Sequence, residues 1–250
     1  MMFSHSLARI VEHNFLNAYI LDSFGIEFFK YPNASLEDVC VRMRLNLSKV
    51  IEHLQNPFTP ETVVCNAQLS NYSVTELVRL LKSSHRQFVK RQLPFMNKLV
   101  HSVPLRELNT HYRDAVEILQ LGFHLFAEDF IHHILDEERK VFDYLVSLEY
   151  ASYDKNHLHA SFFRIKKTSL CEMGKEHADD DEMKSIRDMT ENYRLTDDMP
   201  LVIKVLYEEF RRFDTDLQRH AEIENDFLFP KGEKLEKDVI LAMQKIAILN

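Results

Sequence analysis

Apolar residues recur every three to four positions over most of this chain, which is the spacing of one face of an α-helix. The first long predicted helix opens at Ser73, which forms a capping box with Glu76, and Pro94 is expected to kink it. The apolar stripes predict three more long helices and a shorter last one, at about 108–149, 160–193, 199–229 and 233–248. Long helices with short connections predict an antiparallel four-helix bundle.

The chain ahead of this bundle has a different character. Residues 1 to about 55 predict short helices, one of them capped by Ser35. The stretch NPFTPETVVCN then interrupts the helical pattern with two prolines, Pro57 and Pro60. The sequence therefore predicts a small helical N-terminal domain over 1–56, a linker over 57–70 and the bundle over 71–250.

Composition supports an all-α class and excludes some functions. The chain has only 4 glycines in 250 residues, whereas strand-rich folds need glycine for turns and close approaches. Apolar residues make up 45% of the chain, enough for a sizeable core. The formal net charge of -8 argues against a nucleic-acid partner, because phosphate backbones require a basic surface.

The cysteines and the N-terminus indicate where the protein works. Cys40, Cys65 and Cys171 are far apart in sequence and form no C-x-x-C pair, so neither a disulfide framework nor a cysteine-held metal site is expected. The first residues lack a signal-peptide pattern, and no apolar run approaches the ~20 residues that span a bilayer. We therefore expect a soluble cytoplasmic protein that makes no membrane contact.

Two segments of the bundle share one layout. HILDEERKVFD begins at His133 and HAEIENDFLFP begins at His220, and in each a glutamate follows the histidine by four residues. Residues four apart lie on one helix face about one turn apart, so His133 and Glu137 can point at the same ion, as can His220 and Glu224. The repetition predicts a site with internal symmetry.

Each pair is preceded by a helix that carries a histidine in its apolar stripe. His85 precedes the first pair and His177 precedes the second. The predicted set is four imidazoles and two carboxylates, which suits non-haem iron and would also accept manganese or zinc. The six candidate metal ligands are His85, His133, Glu137, His177, His220 and Glu224.

A structural role is the alternative for these residues. A single His-x-x-x-Glu pair on a helix is common and usually structural. Here all six residues fall in apolar stripes, and burying two glutamates without a neutralising partner would cost several kcal/mol. The repetition therefore favours a dinuclear metal site. His133 rather than His132 is expected to be the ligand, because the helical line of His132 is mostly charged.

Both halves resemble the di-iron bundle of hemerythrin, and the closer match is the repair-of-iron-centres (RIC) family of bacterial iron–sulfur cluster repair proteins. The resemblance covers about residues 70–232 and lies in four stretches: SSHRQFVKRQLPFM, HILDEERKVF, EHADDDEMKSIRDMTENY and HAEIENDFLFP. It implies two non-haem iron ions in an oxo- and carboxylate-bridged di-iron centre. It also implies four histidine ligands, with Glu137 and Glu224 as the bridging carboxylates.

The N-terminal segment FGIEFFKYPNASLEDVC resembles the small N-terminal domain of the same family. Family members usually carry a Cys-Cys-Gly-Gly stretch there, whereas this chain has Phe29, Lys30, Tyr31 and Pro32. Thiol chemistry therefore does not carry over. The resemblance still implies a docking or dimerising role for this segment, so a homodimer is one expected form.

The resemblance implies a protein that helps repair iron–sulfur clusters damaged by nitrosative or oxidative stress. It would supply iron to damaged iron–sulfur proteins and would not be a turnover enzyme. One alternative is a sensor that binds oxygen or nitric oxide and signals through the N-terminal segment. Another is a redox enzyme that reduces nitric oxide or peroxide. A helical interaction protein without metal is the remaining alternative.

Overall fold

The computed structural model describes residues 5–56, 65–154 and 181–249. Within those ranges the side chains of Glu107, His111 and residues 247–249 are not described. The described residues are helical and include no strand, which confirms the all-α class. No helix among them is both long enough and apolar enough to cross a membrane.

The described ranges contain twelve α-helices, numbered in chain order, and two 3₁₀ turns. The α-helices are α1 Leu7–His13, α2 Leu16–Ser23, α3 Leu36–Met43, α4 Leu47–Gln55, α5 Asn66–Leu69, α6 Val74–Gln87, α7 Leu93–Ser102, α8 Thr110–Glu137, α9 Asp143–Tyr153, α10 Lys184–Met189, α11 Leu201–Ile223 and α12 Phe229–Leu249. Two 3₁₀ turns occur at Phe28–Lys30 and Leu105–Glu107.

In the part of the chain that the structure describes, three wider π-helical turns interrupt the long helices. They are π1 Phe88–Gln92, π2 Glu138–Phe142 and π3 Glu224–Leu228. The interruption predicted at Pro94 takes this form, since π1 ends just before α7, in whose first turn Pro94 lies. Proline has no N–H to donate to the preceding turn, which accounts for a break at this point.

The predicted caps are confirmed. Ser35 accepts a hydrogen bond from the Asp38 N–H at 3.1 Å at the start of α3. At the start of α6 the Glu76 N–H donates to Ser73 Oγ at 3.2 Å, and the Ser73 N–H donates to Glu76 Oε2 at 2.7 Å. These side chains satisfy N–H groups that the first helical turn leaves without a partner.

Two predicted helix boundaries were wrong. The third long helix was predicted over about 160–193, of which residues 160–180 lie outside the described residues. In the described part, α10 ends at Met189, and Glu191, Asn192 and Tyr193 have φ between 50° and 59°. The gap expected before a separate last helix does not exist, because α11, π3 and α12 follow one another without a loop. Pro230 is the second residue of α12, directly after π3, just as Pro94 is the second residue of α7, directly after π1.

The chain divides into two compact units. The first comprises Met1–Val63, Arg91–His124 and Ser185–Phe213, and the second comprises Val64–Lys90, Leu125–Lys184 and Asp214–Asn250. The N-terminal segment 1–56 lies in the first unit, and its predicted standing as a separate domain stays a prediction.

Within the first unit, α2 of the N-terminal segment packs on α7 and α11. The rings of Tyr19 and Phe95 meet edge to face with their centroids 5.6 Å apart. The Arg212 guanidinium lies 4.2 Å from the centroid of the Tyr19 ring, and Lys98 Nζ is 2.7 Å from Asp22 Oδ1. Residues 5–56 therefore do not form an isolated tail.

In the second unit, α6, α9, π3 and α12 share an apolar cluster. Its members include Leu77, Leu81, Phe142, Leu145 and Leu228, all of them buried. Leu81 lies about one helical turn before His85 on α6, and the Phe142 ring stacks on the His85 ring at 5.4 Å with 11° between their planes. The core therefore fixes where His85 stands.

Glu149 of α9 is expected to anchor the N-terminus of α6 to this core. Its carboxylate accepts the N–H of Val74 at 3.0 Å, the N–H of Thr75 at 2.8 Å and the Thr75 hydroxyl. Glu149→Ala leaves these donors without partners, so we expect the free energy of unfolding to fall by about 1–3 kcal/mol. Urea unfolding followed by circular dichroism measures this. Glu233→Ala, which removes only an exposed 3.9 Å pair with Lys237, is the control. Equal urea midpoints for the two variants would contradict the prediction.

Candidate metal centre

His85, Glu137 and His220 form a buried group in the second unit that could hold a metal ion. One potential ligand atom from each lies within 4.8 Å of the others. His85 Nε2 is 3.1 Å from His220 Nε2 and 3.3 Å from Glu137 Oε2. The three side chains come from α6, the C-terminal end of α8, and α11. Imidazole nitrogens and a carboxylate oxygen therefore converge on one point.

Glu224 completes this cluster as a second buried carboxylate. Its Oε1 lies 3.1 Å from His220 Nε2, but the orientation forms no hydrogen bond and this buried oxygen has no other partner in the described chain. Its carboxyl group also lies within hydrogen-bonding reach of Glu137. Burial raises the pKa of the Glu137 carboxyl and of the Glu224 carboxyl.

The two buried histidines differ in charge preference. Burial and the nearby His85 lower the pKa of His220 to about 3, so its ring is neutral at ordinary pH. Burial also acts to lower the pKa of His85, but hydrogen bonds to Glu137 and Glu138 outweigh it and raise that pKa above its usual value. A neutral imidazole is the form that binds metal, so His220 is already in a ligating state.

All three π turns lie beside residues of this cluster. π2 begins directly after Glu137, π3 begins at Glu224, and π1 begins three residues after His85. Such turns are rare and occur frequently at functional sites, because the extra residue redirects side chains. Each copy of the sequence repeat, beginning at His133 or at His220, therefore contains a π turn that begins at a glutamate.

A cavity of about 60 Å³ opens beside the cluster. Its wall includes Phe88, Phe130, His133, Glu137, Glu182, His220 and Glu224. His133 and Glu182 are only part-buried, with 31% and 30% of their side chains exposed, and His133 Nε2 is 3.7 Å from Glu182 Oε1. A space of this size accommodates an ion or a water molecule beside the buried ligands.

The structure brings five of the six predicted ligands to one place. His85, Glu137, His220 and Glu224 form the buried cluster, and His133 lines the cavity beside it. His132 is exposed and does not line the cavity, whereas His133 does. His177 lies outside the described residues, so the full set of six stays a prediction.

Two acidic residues at this site were missed by the sequence analysis. Glu138 Oε1 is 2.9 Å from His85 Nδ1, and Glu182 faces the cavity near His133. Glu138 follows Glu137 directly, and adjacent residues of a regular helix do not share a face. No pattern in the sequence marks the contact of both glutamates with one histidine, or the π2 turn that begins at Glu138.

The donor set fits a metal cation. Two carboxyl groups and two imidazoles share one buried site, and the oxygen Glu224 Oε1 has no hydrogen bond in the described chain. Buried charges without a partner are costly, whereas a cation between them would offset the repulsion. Nitrogen and oxygen donors of this kind suit iron, manganese or zinc.

No model of a known protein family matches this chain, and no curated protein matches it.

Proposed function

We propose that this chain is a member of the RIC family that holds two non-haem iron ions in a hemerythrin-like four-helix bundle. The proposed ligands are His85, His133, Glu137, His177, His220 and Glu224. In this proposal the iron serves to repair iron–sulfur clusters damaged by nitrosative or oxidative stress. One observation carries it: two carboxyl groups and two imidazoles converge in a buried cluster between apolar side chains.

The electrostatics of the cluster support a bound dication or pair of dications. Glu137 and Glu224 are buried within reach of one another, and burial raises the pKa of each. A cation would favour the ionised form of both carboxyl groups and relieve their repulsion. The neutral His220 ring adds a nitrogen donor without adding positive charge.

The ligand types also suit release of iron. Bound iron would supply open coordination positions and redox chemistry. Carboxylate oxygens hold iron less tightly than a cage of thiolates does, so an ion held this way can be passed to another protein. The part-buried His133 and Glu182 stand on the more accessible side of the cavity, where an exchanging ion would meet them first.

The experiment compares iron-loaded protein with free iron. An iron–sulfur enzyme is inactivated with nitric oxide, and its activity is followed anaerobically after adding the iron-loaded protein or an equal amount of ferrous iron. We expect greater recovery with the protein. The metal-deficient variant His220→Ala, mixed with the same ferrous iron, is the control. Recovery no better than with free iron would sink the proposal.

A sensor of oxygen or nitric oxide is the second candidate. The observation that favours it is the N-terminal segment, which has Phe29 and Lys30 in place of the family's cysteines and packs on α7 and α11. A sensor would bind gas reversibly and change its oligomeric state without giving up iron. Sedimentation of the iron-loaded protein with and without nitric oxide, followed by iron analysis, distinguishes the two functions.

A further inference from the structure

The two ring nitrogens of His85 have different surroundings. Nε2 points into the cluster, 3.3 Å from Glu137 Oε2 and 3.1 Å from His220 Nε2. Nδ1 points away from the cluster and lies 2.9 Å from Glu138 Oε1. This distance fits a hydrogen bond in which an Nδ1–H donates to the carboxylate oxygen.

We propose that Glu138 is a positioning residue for the metal centre, which keeps the proton on His85 Nδ1 and aims Nε2 at the metal. This inference rests on the proposed metal binding and names a residue outside the six predicted ligands. A metal-bound histidine usually donates its other N–H to a carboxylate or carbonyl, and this contact fixes the tautomer and orientation of the ring.

The helix geometry makes this contact available. Glu137 and Glu138 are neighbours in sequence, yet one reaches Nε2 and the other reaches Nδ1 of the same ring. The π2 turn begins at Glu138, and its last residue, Phe142, stacks on the face of His85. One short stretch of chain therefore holds His85 by both edges and one face, which leaves the ring little freedom.

The second buried histidine lacks such support in the described chain. His220 Nδ1 is buried and has no hydrogen-bond partner there. The Phe88 ring meets the His220 ring edge to face, with their centroids 5.8 Å apart. This contact packs the ring but does not determine which of the two His220 nitrogens carries the proton. His85 is therefore the better-oriented nitrogen donor, and loss of Glu138 should act through His85 alone.

Glu138 also has a charged neighbour, Lys82, on the side that faces solvent. Lys82 Nζ lies 3.9 Å from Glu138 Oε2 and 3.5 Å from Asp143 Oδ1. The chain of contacts runs from the buried ring through Glu138 to an exposed lysine and aspartate. Because the Glu138 side chain is 28% exposed, its replacement creates no sealed cavity, so the fold should tolerate it.

The test uses Co²⁺ and Zn²⁺ as probes of the full-length protein. Co²⁺ affinity is measured by competition with a chelator, and Glu138→Ala is expected to bind about 10–100-fold more weakly than wild type. Glu138→Gln keeps an acceptor oxygen and is expected to lose less. Asp136→Asn, which removes only an exposed contact with Lys140, should bind as wild type does.

A spectroscopic readout separates positioning from general damage. In the zinc-loaded protein, the His85 Nδ1–H should give a slowly exchanging proton resonance. Glu138→Ala should weaken or abolish it, and Asp136→Asn should retain it. Unchanged Co²⁺ affinity and an unchanged resonance in Glu138→Ala would overturn the role of Glu138 while leaving the metal site intact. No Co²⁺ binding by wild type would overturn the metal site as well.

Discussion

His220→Ala is expected to lose metal binding while remaining helical. His220 Nε2 lies 3.1 Å from His85 Nε2 and 3.1 Å from Glu224 Oε1, so its removal takes a donor from the middle of the cluster. His85 is not free to move inward and replace this donor, because the Phe142 ring is packed against its face. We expect metal affinity to fall by more than the ~10–100-fold typical of losing a supporting residue.

The measurement is metal content per chain after anaerobic iron loading, together with the absorption spectrum. Wild type is expected to hold iron stoichiometrically, and His220→Ala far less. His132→Ala is the control, since His132 is exposed on α8 and takes no part in the cavity wall. If His220→Ala and wild type held equal iron, the buried cluster would not be the metal site.

Short sequence patterns were sufficient to predict where particular helices begin. Ser35 and the Ser73–Glu76 box mark helix starts because capping depends on residues only a few positions apart. The choice of His133 over His132 also follows from helical periodicity, since one line is apolar and the other charged. Signals of this kind are short-range and can be read from a single chain.

The contacts between side chains of the site depend on tertiary packing, which short sequence patterns do not predict. The contact between Glu138 and His85 joins residues far apart in sequence, at the point where the π2 turn begins. The cluster joins three helices, and their packing cannot be deduced from periodicity. The end of α10 was missed because the three left-handed residues after it include no glycine, which is the residue that usually marks such a turn.

Glu224→Gln is expected to stabilise the metal-free protein while impairing metal binding. In the folded chain, Glu224 and Glu137 are buried within reach of one another, and burial raises the pKa of each. The folded chain therefore binds more protons than the unfolded chain between the unfolded pKa and the folded pKa of Glu224. Its stability falls as the pH rises through that window, and glutamine removes this contribution.

At pH 7, relief of this buried charge is expected to raise the free energy of unfolding by about 1–2 kcal/mol without metal. An amide can also donate to the Glu137 carboxylate, which a second carboxylate cannot do. The pH dependence gives a second reading, because the variant should lose less stability than wild type as the pH rises from about 4 toward neutrality. Glu222→Gln, on an exposed position of the same helix, should show neither change.

Added metal should reverse the order of stability. A ligand that binds only the folded chain stabilises it by about 2.7 kcal/mol at a concentration of 100 Kd, and this gain belongs to wild type alone if Glu224 is a ligand. Urea unfolding of both proteins with and without Co²⁺ therefore tests two claims together. It tests whether the buried Glu224 carboxyl destabilises the metal-free protein, and whether Glu224 binds the metal. A wild type that is the more stable protein in both conditions would show that Glu224 is a structural residue. Reversal would mean that the chain keeps a destabilising pair of buried carboxylates because the pair binds metal.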